Sequence, residues 1–242
     1  RFLAHAANLL TVRSTLEFTK RLKDTGSRFD YVVLTIGTWP DREHPMTSDG
    51  VDKVIALDVL ARFLVTREVL PCLNYGARVL SVLGSTVAFP SPPEVAVIKD
   101  LALGKKTAYS TFEMLGTAGV MGDAWMQSMS SYKQASSVTF SGTWPGVVAT
   151  SLMDKQLQLF PGWLRLMVEG TATSPEEAGF IHATILASPN AAARPVSYFN
   201  SNLEGRQTNP LVYDTAFQQW VWSFLEDAAE QHDDTLRDQI IF

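Results

Sequence analysis

The sequence predicts an α/β fold with a mainly parallel sheet and helices on both faces, and three observations point to it. Short apolar runs bounded by turns recur at 30–37 (DYVVLTIG), 77–84 (ARVLSVLG) and 136–144 (SSVTFSGTW). That is the form of parallel strands buried on both faces. Helical patterns separate them, so the order reads α-β-α-β-α-β, and ligands of such sheets bind beyond the carboxyl ends of the strands. With 242 residues and 46% apolar content, the chain is sized for a single domain, 1–242, with a sizeable core.

The first helix is read from Asn8 to Lys23, with Val12, Leu16, Thr19 and Leu22 on one face and Asp24-Thr-Gly-Ser ending it. Residues 50–72 read as one long helix and 107–131 as another, despite Gly116, Gly119 and Gly122. Those glycines, three apart, make a smooth stripe that suits close packing. Ser174-Pro175-Glu176-Glu177 has the form of a capping box opening a helix over 175–187. VSYFN (196–200) reads as the last strand. Over 210–231 a C-terminal amphipathic helix is expected, carried by Phe217, Trp220, Val221, Phe224, Leu225 and Ala228, to pack on the sheet or on a partner subunit.

Twenty basic against 25 acidic residues give a net charge of −5, which offers no broad attraction for nucleic acid or anionic lipid. No apolar run reaches the roughly 18 residues of a membrane span, and a single cysteine, Cys72, excludes an intrachain disulfide. A soluble, cytoplasmic protein is expected, with a hydrophobic small molecule as partner. His5, His44, His182 and His232 have no metal-ligand spacing, so no metal is expected. Residue 1 is Arg, and removal of the natural N-terminus is expected.

The segment TFSGTWPGVVAT (139–150), a strand followed by a Pro-Gly turn and a Thr, resembles the nicotinamide end of the short-chain dehydrogenase/reductase family. Nearly the whole chain shares the resemblance, most closely with a divergent fungal branch found among secondary-metabolism proteins. LTIG (34–37) stands where the family has Asn-Ala-Gly, and ALDVLARF (56–63) resembles the helix bearing a structural Asn, with Asp58 in its place. RVLSVLGS (78–85) resembles the strand that ends in the catalytic Ser, whose position falls on Gly84 with Ser85 one step beyond. The resemblance implies a Rossmann-like fold whose N-terminal βαβ portion, with its glycine loop, has no counterpart in these residues. It also implies cofactor-binding roles for Asn8, Gly37, Pro145, Gly146, Val148 and Thr150 if the chain carries out redox chemistry with NAD(P). A homodimer is implied by analogy, through the helix that carries the glycine stripe.

The chemistry departs from the pattern. No lysine has a tyrosine four residues before it, and the 15 glycines form no G-x-x-x-G-x-G or G-x-G-x-x-G loop. Alignment from Pro145 puts the family's Tyr near Leu115 and its Lys near Gly119. Tyr109 lies about six residues early and is followed four later by Glu113.

The candidate catalytic residues are therefore Ser85 and Tyr109, as hydrogen-bond donors to a carbonyl, and Asp58 and Asp123, as carboxylates in apolar helical stretches where burial raises the pKa. Thr38, Trp39, Thr86, Thr143 and Trp144 are expected to line the substrate cavity at the strand ends. Met153, Leu157, Phe160 and Trp163 are expected to supply an apolar lid within 150–174. The reading favoured by these residues is a non-redox biosynthetic enzyme without a cofactor, promoting cyclisation, isomerisation or dehydration of a hydrophobic molecule. The alternatives are an NAD(P)-dependent oxidoreductase with atypical catalytic residues and a non-catalytic binding subunit.

Overall fold

The computed structural model describes residues 3–40, 45–83, 94–105, 109–157, 162, 165 and 170–232. Among these residues are four strands, β1 (Phe29–Leu34), β2 (Leu73–Val82), β3 (Thr139–Thr143) and β4 (Val196–Phe199), paired in that order and all parallel. The registers place Val32, Val79 and Phe140 on one face, and Val33, Leu80 and Ser141 on the other.

The first face carries the main core. Helices α1 (Val12–Asp24), α2 (Ala61–Val69) and α4 (Thr111–Ser130) and the C-terminal helix α7 (Thr215–His232) belong to this cluster with Val79 and Phe140. The second face is covered by α6 (Pro175–Ala187), where Ile185 packs with Leu80, Ala191 and Phe199. This cover does not extend over β1. Tyr31 and Val33, expected to be buried, are 56% and 46% exposed, and the strand stops at Leu34 rather than running to Gly37. Sequence pattern marks a strand as apolar; only the tertiary arrangement decides whether both its faces are covered.

Local chemistry accounts for the helix starts. Thr11 accepts the Ser14 N–H at 3.2 Å to open α1. The Ser110 side chain and Glu113 form a reciprocal capping box at α4, with bonds of 2.8 and 3.1 Å. Ser174 accepts from the Glu177 N–H at 3.1 Å, with Pro175 at the first helical position of α6. Two further helices are α3 (Val95–Ala102) and α5 (Ser151–Leu157).

The helix expected over 50–72 is three pieces: a π turn (Ile55–Leu60), α2, and a 3-10 turn (Leu70–Cys72). In the π turn the Ala61 N–H reaches back five residues to Ala56. Gly116, Gly119 and Gly122 of α4 are all buried, a Cβ at Gly122 would meet Leu83 at 3.6 Å, and α7 and a 3-10 turn (Pro210–Tyr213) lie against the same helix. Thus α7 packs on α4 rather than directly on the sheet. No helix among the described residues is long and apolar enough to cross a membrane.

Candidate functional site

Beyond the carboxyl ends of β1, β2 and β3 lies a cavity of about 180 Å³. Thr35, Gly37, Thr38 and Trp39 line it after β1, Val82 and Leu83 at the end of β2, and Trp144, Pro145 and Gly146 after β3. Val148, Thr150 and Met153 continue that wall into the start of α5, while Leu115 comes from α4. The wall is mostly apolar, and at its floor stand two ionisable side chains, Asp58 and Arg62.

Both are buried, at 1% exposure. Asp58 sits inside the π turn, whose wider coil shifts side chains relative to an α-helical path. Its Oδ1 accepts the Thr38 N–H at 2.8 Å, tying the loop after β1 to this turn. Burial pushes its carboxyl up to about 7, against the lowering effects of the Arg62 charge and the Thr38 bond.

Arg62 follows one turn later. It donates Nε to the Ile36 carbonyl at 2.7 Å, one terminal nitrogen to Ser81 Oγ at 2.8 Å, and the other to the carbonyls of Ile36 and Val82. One guanidinium therefore joins the carboxyl ends of β1 and β2 beneath the cavity. Burial lowers its pKa to about 10, and the Asp58 charge opposes that.

Gly37 is demanded by this arrangement. A Cβ there would stand 2.6 Å from Asp58 Oδ1 and 3.4 Å from an Arg62 terminal nitrogen, so a larger residue would force the floor apart. Gly146, at φ +74°, adopts the left-handed turn conformation after Pro145.

Of the residues expected at the site, Thr38, Trp39, Trp144 and Met153 line the cavity, with Gly37, Pro145, Gly146, Val148 and Thr150 from the implied cofactor set. Others do not. Tyr109 is directed elsewhere: its hydroxyl donates to Asp52 Oδ2 at 2.6 Å, with Asp52 also accepting the Val54 N–H. Asn8 is exposed and accepts the Leu10 N–H at 3.1 Å. Thr143 and Leu157 are buried in the packing without lining the cavity.

Asp123 is also buried but belongs to a different network, in which its Oδ2 accepts from the Thr208 hydroxyl and its carbonyl accepts from Tyr198 OH at 3.3 Å. Burial pushes its carboxyl up to about 8. Ser85, Thr86, Phe160 and Trp163 lie outside the described residues. Sequence reasoning missed Arg62, although its i+4 spacing from Asp58 is the signal that would have found it.

A dinucleotide fits this cavity in part. The apolar wall, the Pro145-Gly146 turn and Thr150 suit a ring of nicotinamide size, whereas about 180 Å³ cannot enclose a whole dinucleotide. Nor does the chain contain a glycine-rich loop for a pyrophosphate.

No protein-family model matches the chain. Protochlorophyllide reductase B, chloroplastic, from Hordeum vulgare is 24% identical over 258 residues, an overlap covering 90% of this chain and 63% of the reductase. The chain thus spans less than two thirds of that relative's length. Among solved structures, an uncharacterized protein from Mycobacterium paratuberculosis superposes with a TM-score of 0.63 at 17% identity, covering 93% of this chain and 75% of that one. A short chain dehydrogenase family protein from Francisella tularensis gives 0.56 at 14%, covering 84% and 83%. A short-chain dehydrogenase/reductase from Serratia marcescens gives 0.51 at 19%, covering 83% and 76%. The fold is a Rossmann-like α/β fold of the short-chain dehydrogenase/reductase type.

Proposed function

We propose that the cavity is the nicotinamide and substrate end of an NAD(P)-dependent oxidoreductase with an atypical acid, acting on a carbonyl or conjugated double bond of an apolar small molecule. One observation carries this reading: the Pro145–Thr150 turn, Gly37-Thr38 and a buried carboxyl that titrates at about 7 all line the same small cavity. The fold, and the reductase named among the relatives, support it over the cofactor-free reading.

Pro145, Gly146, Val148 and Thr150 would hold the nicotinamide, which when bound supplies a hydride equivalent. The remaining steps belong to the protein. Trp39, Leu115, Trp144 and Met153 bury the apolar body of the substrate and exclude water. Asp58 Oδ1 is held by the Thr38 N–H, so the acidic proton resides on Oδ2, from which it can pass to a substrate oxygen or carbon. The charge left on Asp58 is stabilised by the adjacent Arg62. A carboxyl that titrates near neutrality suits this task far better than an unperturbed one.

A second reading, cofactor-free isomerisation or dehydration, rests on Leu115: an apolar side chain lines the wall at the position aligned with the family's acid. The same Asp58 would serve there. Titration with NADH and NADPH, followed by quenching of tryptophan emission, separates the two. Saturable quenching in wild type and in Asp58→Asn, with substrate-dependent turnover lost only in the variant, is expected. Absence of saturable quenching with either nucleotide, while an apolar ligand still quenches, would overturn the redox reading in favour of the second.

A further inference from the structure

A second cavity, at about 830 Å³ larger than the candidate site, lies along the outer edge of β4. Its origin is topological. After β4 the chain turns back, and Phe199 bridges Gly205 in antiparallel fashion while the Arg206 N–H bonds the Tyr198 carbonyl at 2.8 Å. This return covers only the second half of the strand. The first half faces a hollow walled by the 3-10 turn after α6 (Pro189–Ala192) and by the segment leading into the turn at Pro210–Tyr213.

The charge of this hollow is unlike that of the chain. Among the described residues its lining includes Arg194 and Arg206 and no Asp or Glu, in a protein of net charge −5. Two carboxylates among the described residues lie nearby, each with a partner of its own. Glu204 is engaged by Arg206 at 2.5 Å and by the Asn200 amide at 2.9 Å. Asp123, beneath Tyr198 and Thr208, is held in its neutral form at pH 7 by burial.

One backbone donor adds to the side chains. Pro195 and Phe199 direct their carbonyls to β3, so the alternation of a parallel ladder turns the N–H and C=O of Val196 outward, toward the hollow. Tyr213 and Tyr198 offer aromatic surface within the same lining; burial and then the Asp123 charge raise the Tyr213 phenol, and the Arg194 charge, which also reaches it, opposes that rise.

We infer that this hollow is a second ligand site, for a small organic molecule with an aromatic or other flat body and a carboxylate or phosphate head. The head lies between the guanidiniums of Arg194 and Arg206, where charge-assisted and bidentate bonds favour planar or tetrahedral oxyanions. The body rests against Tyr213. At about 830 Å³ the space exceeds what an inorganic ion fills and falls within the range of small-molecule pockets.

The test uses phenyl phosphate, benzoate, inorganic phosphate and neutral phenol as probes, followed by calorimetry and by chemical shifts on the full chain. Phenyl phosphate or benzoate should bind saturably, with roughly tenfold loss in Arg194→Gln and in Arg206→Gln and weakening by salt. Both arginines are exposed, so the variants should keep the wild-type melting temperature. Which of the two organic probes binds more tightly identifies the head group. Binding of phenol equal to that of the anions, binding of inorganic phosphate as tight as phenyl phosphate, or binding indifferent to both variants would each overturn the inference.

Discussion

Asp123→Asn should change how stability depends on pH. Asp123 is 2% exposed in the middle of α4, and its described side-chain partner is the Thr208 hydroxyl. Gly142, on the strand above, leaves room for it: a Cβ there would meet Asp123 Oδ1 at 3.0 Å and the Tyr198 ring at 2.9 Å. No cation is among the causes of its shift, and its carboxyl rises from 3.8 to about 8. In the folded chain the proton is therefore retained over a range where the unfolded chain has lost it. The contribution to stability is fully present below pH 3.8, declines as pH rises, and is gone above about 8.

Between pH 6 and pH 9 the decline covers about two pH units of full slope, or about 3 kcal/mol. For a chain of this size that corresponds to a fall of about 6–12 °C in melting temperature attributable to this one group. Asparagine keeps an acceptor for Thr208 and cannot titrate. Thermal melts of wild type and Asp123→Asn from pH 5 to 9 should converge at the acid end and separate at the alkaline end, with the variant more stable there. Asp58 titrates in both proteins, so only the difference between the two curves is diagnostic. Curves that fall in parallel would refute the assignment of a buried, proton-retaining carboxyl at 123.

Three further outcomes follow from the cavity floor and wall. Gly37→Ala should cost about 1–3 kcal/mol through overpacking against Asp58, and a double-mutant cycle with Asp58→Ala should show the two costs to be less than additive. Denaturant melts would measure it, and strict additivity would argue against the contact. Arg62→Met should cost about 3–5 kcal/mol, since it strips donors from buried carbonyls at Ile36 and Val82, whereas Arg67→Met, a partly exposed pairing with Glu226, should cost below about 1 kcal/mol. Trp144→Ala should weaken binding of an apolar probe with the fold intact, while Tyr109→Phe leaves it unchanged because that hydroxyl serves Asp52. Fluorescence titration with a near-ultraviolet spectrum as the folding control would reverse this view if the tyrosine variant, and not the tryptophan one, lost the ligand.

What the sequence disclosed and what it concealed divide along a physical line. Strands at Thr139–Thr143 and Val196–Phe199, the capped start of α6 and the apolar face of α7 are encoded within a few residues, by turn chemistry and periodicity, and were legible. Tyr109 does not line the cavity: its hydroxyl donates to Asp52, 57 positions away, and no local pattern announces such a partner. Arg62 was overlooked for a related reason. An arginine in an apolar helix looks like a solvated residue until the carbonyls it serves, 26 and 20 positions distant, are brought beneath it by the parallel crossover.

The π turn is hidden for another reason. Apolar residues on all sides of Ile55–Leu60 satisfy an α-helical and a wider coil alike, so the pattern places Asp58 among apolar neighbours but does not set the angle at which it points. That angle decides the chemistry: the same carboxyl turned outward would titrate as an ordinary aspartate. Turned toward Thr38 and the cavity, its carboxyl is pushed up to about 7 by burial, which is the property that the proposed acid role requires.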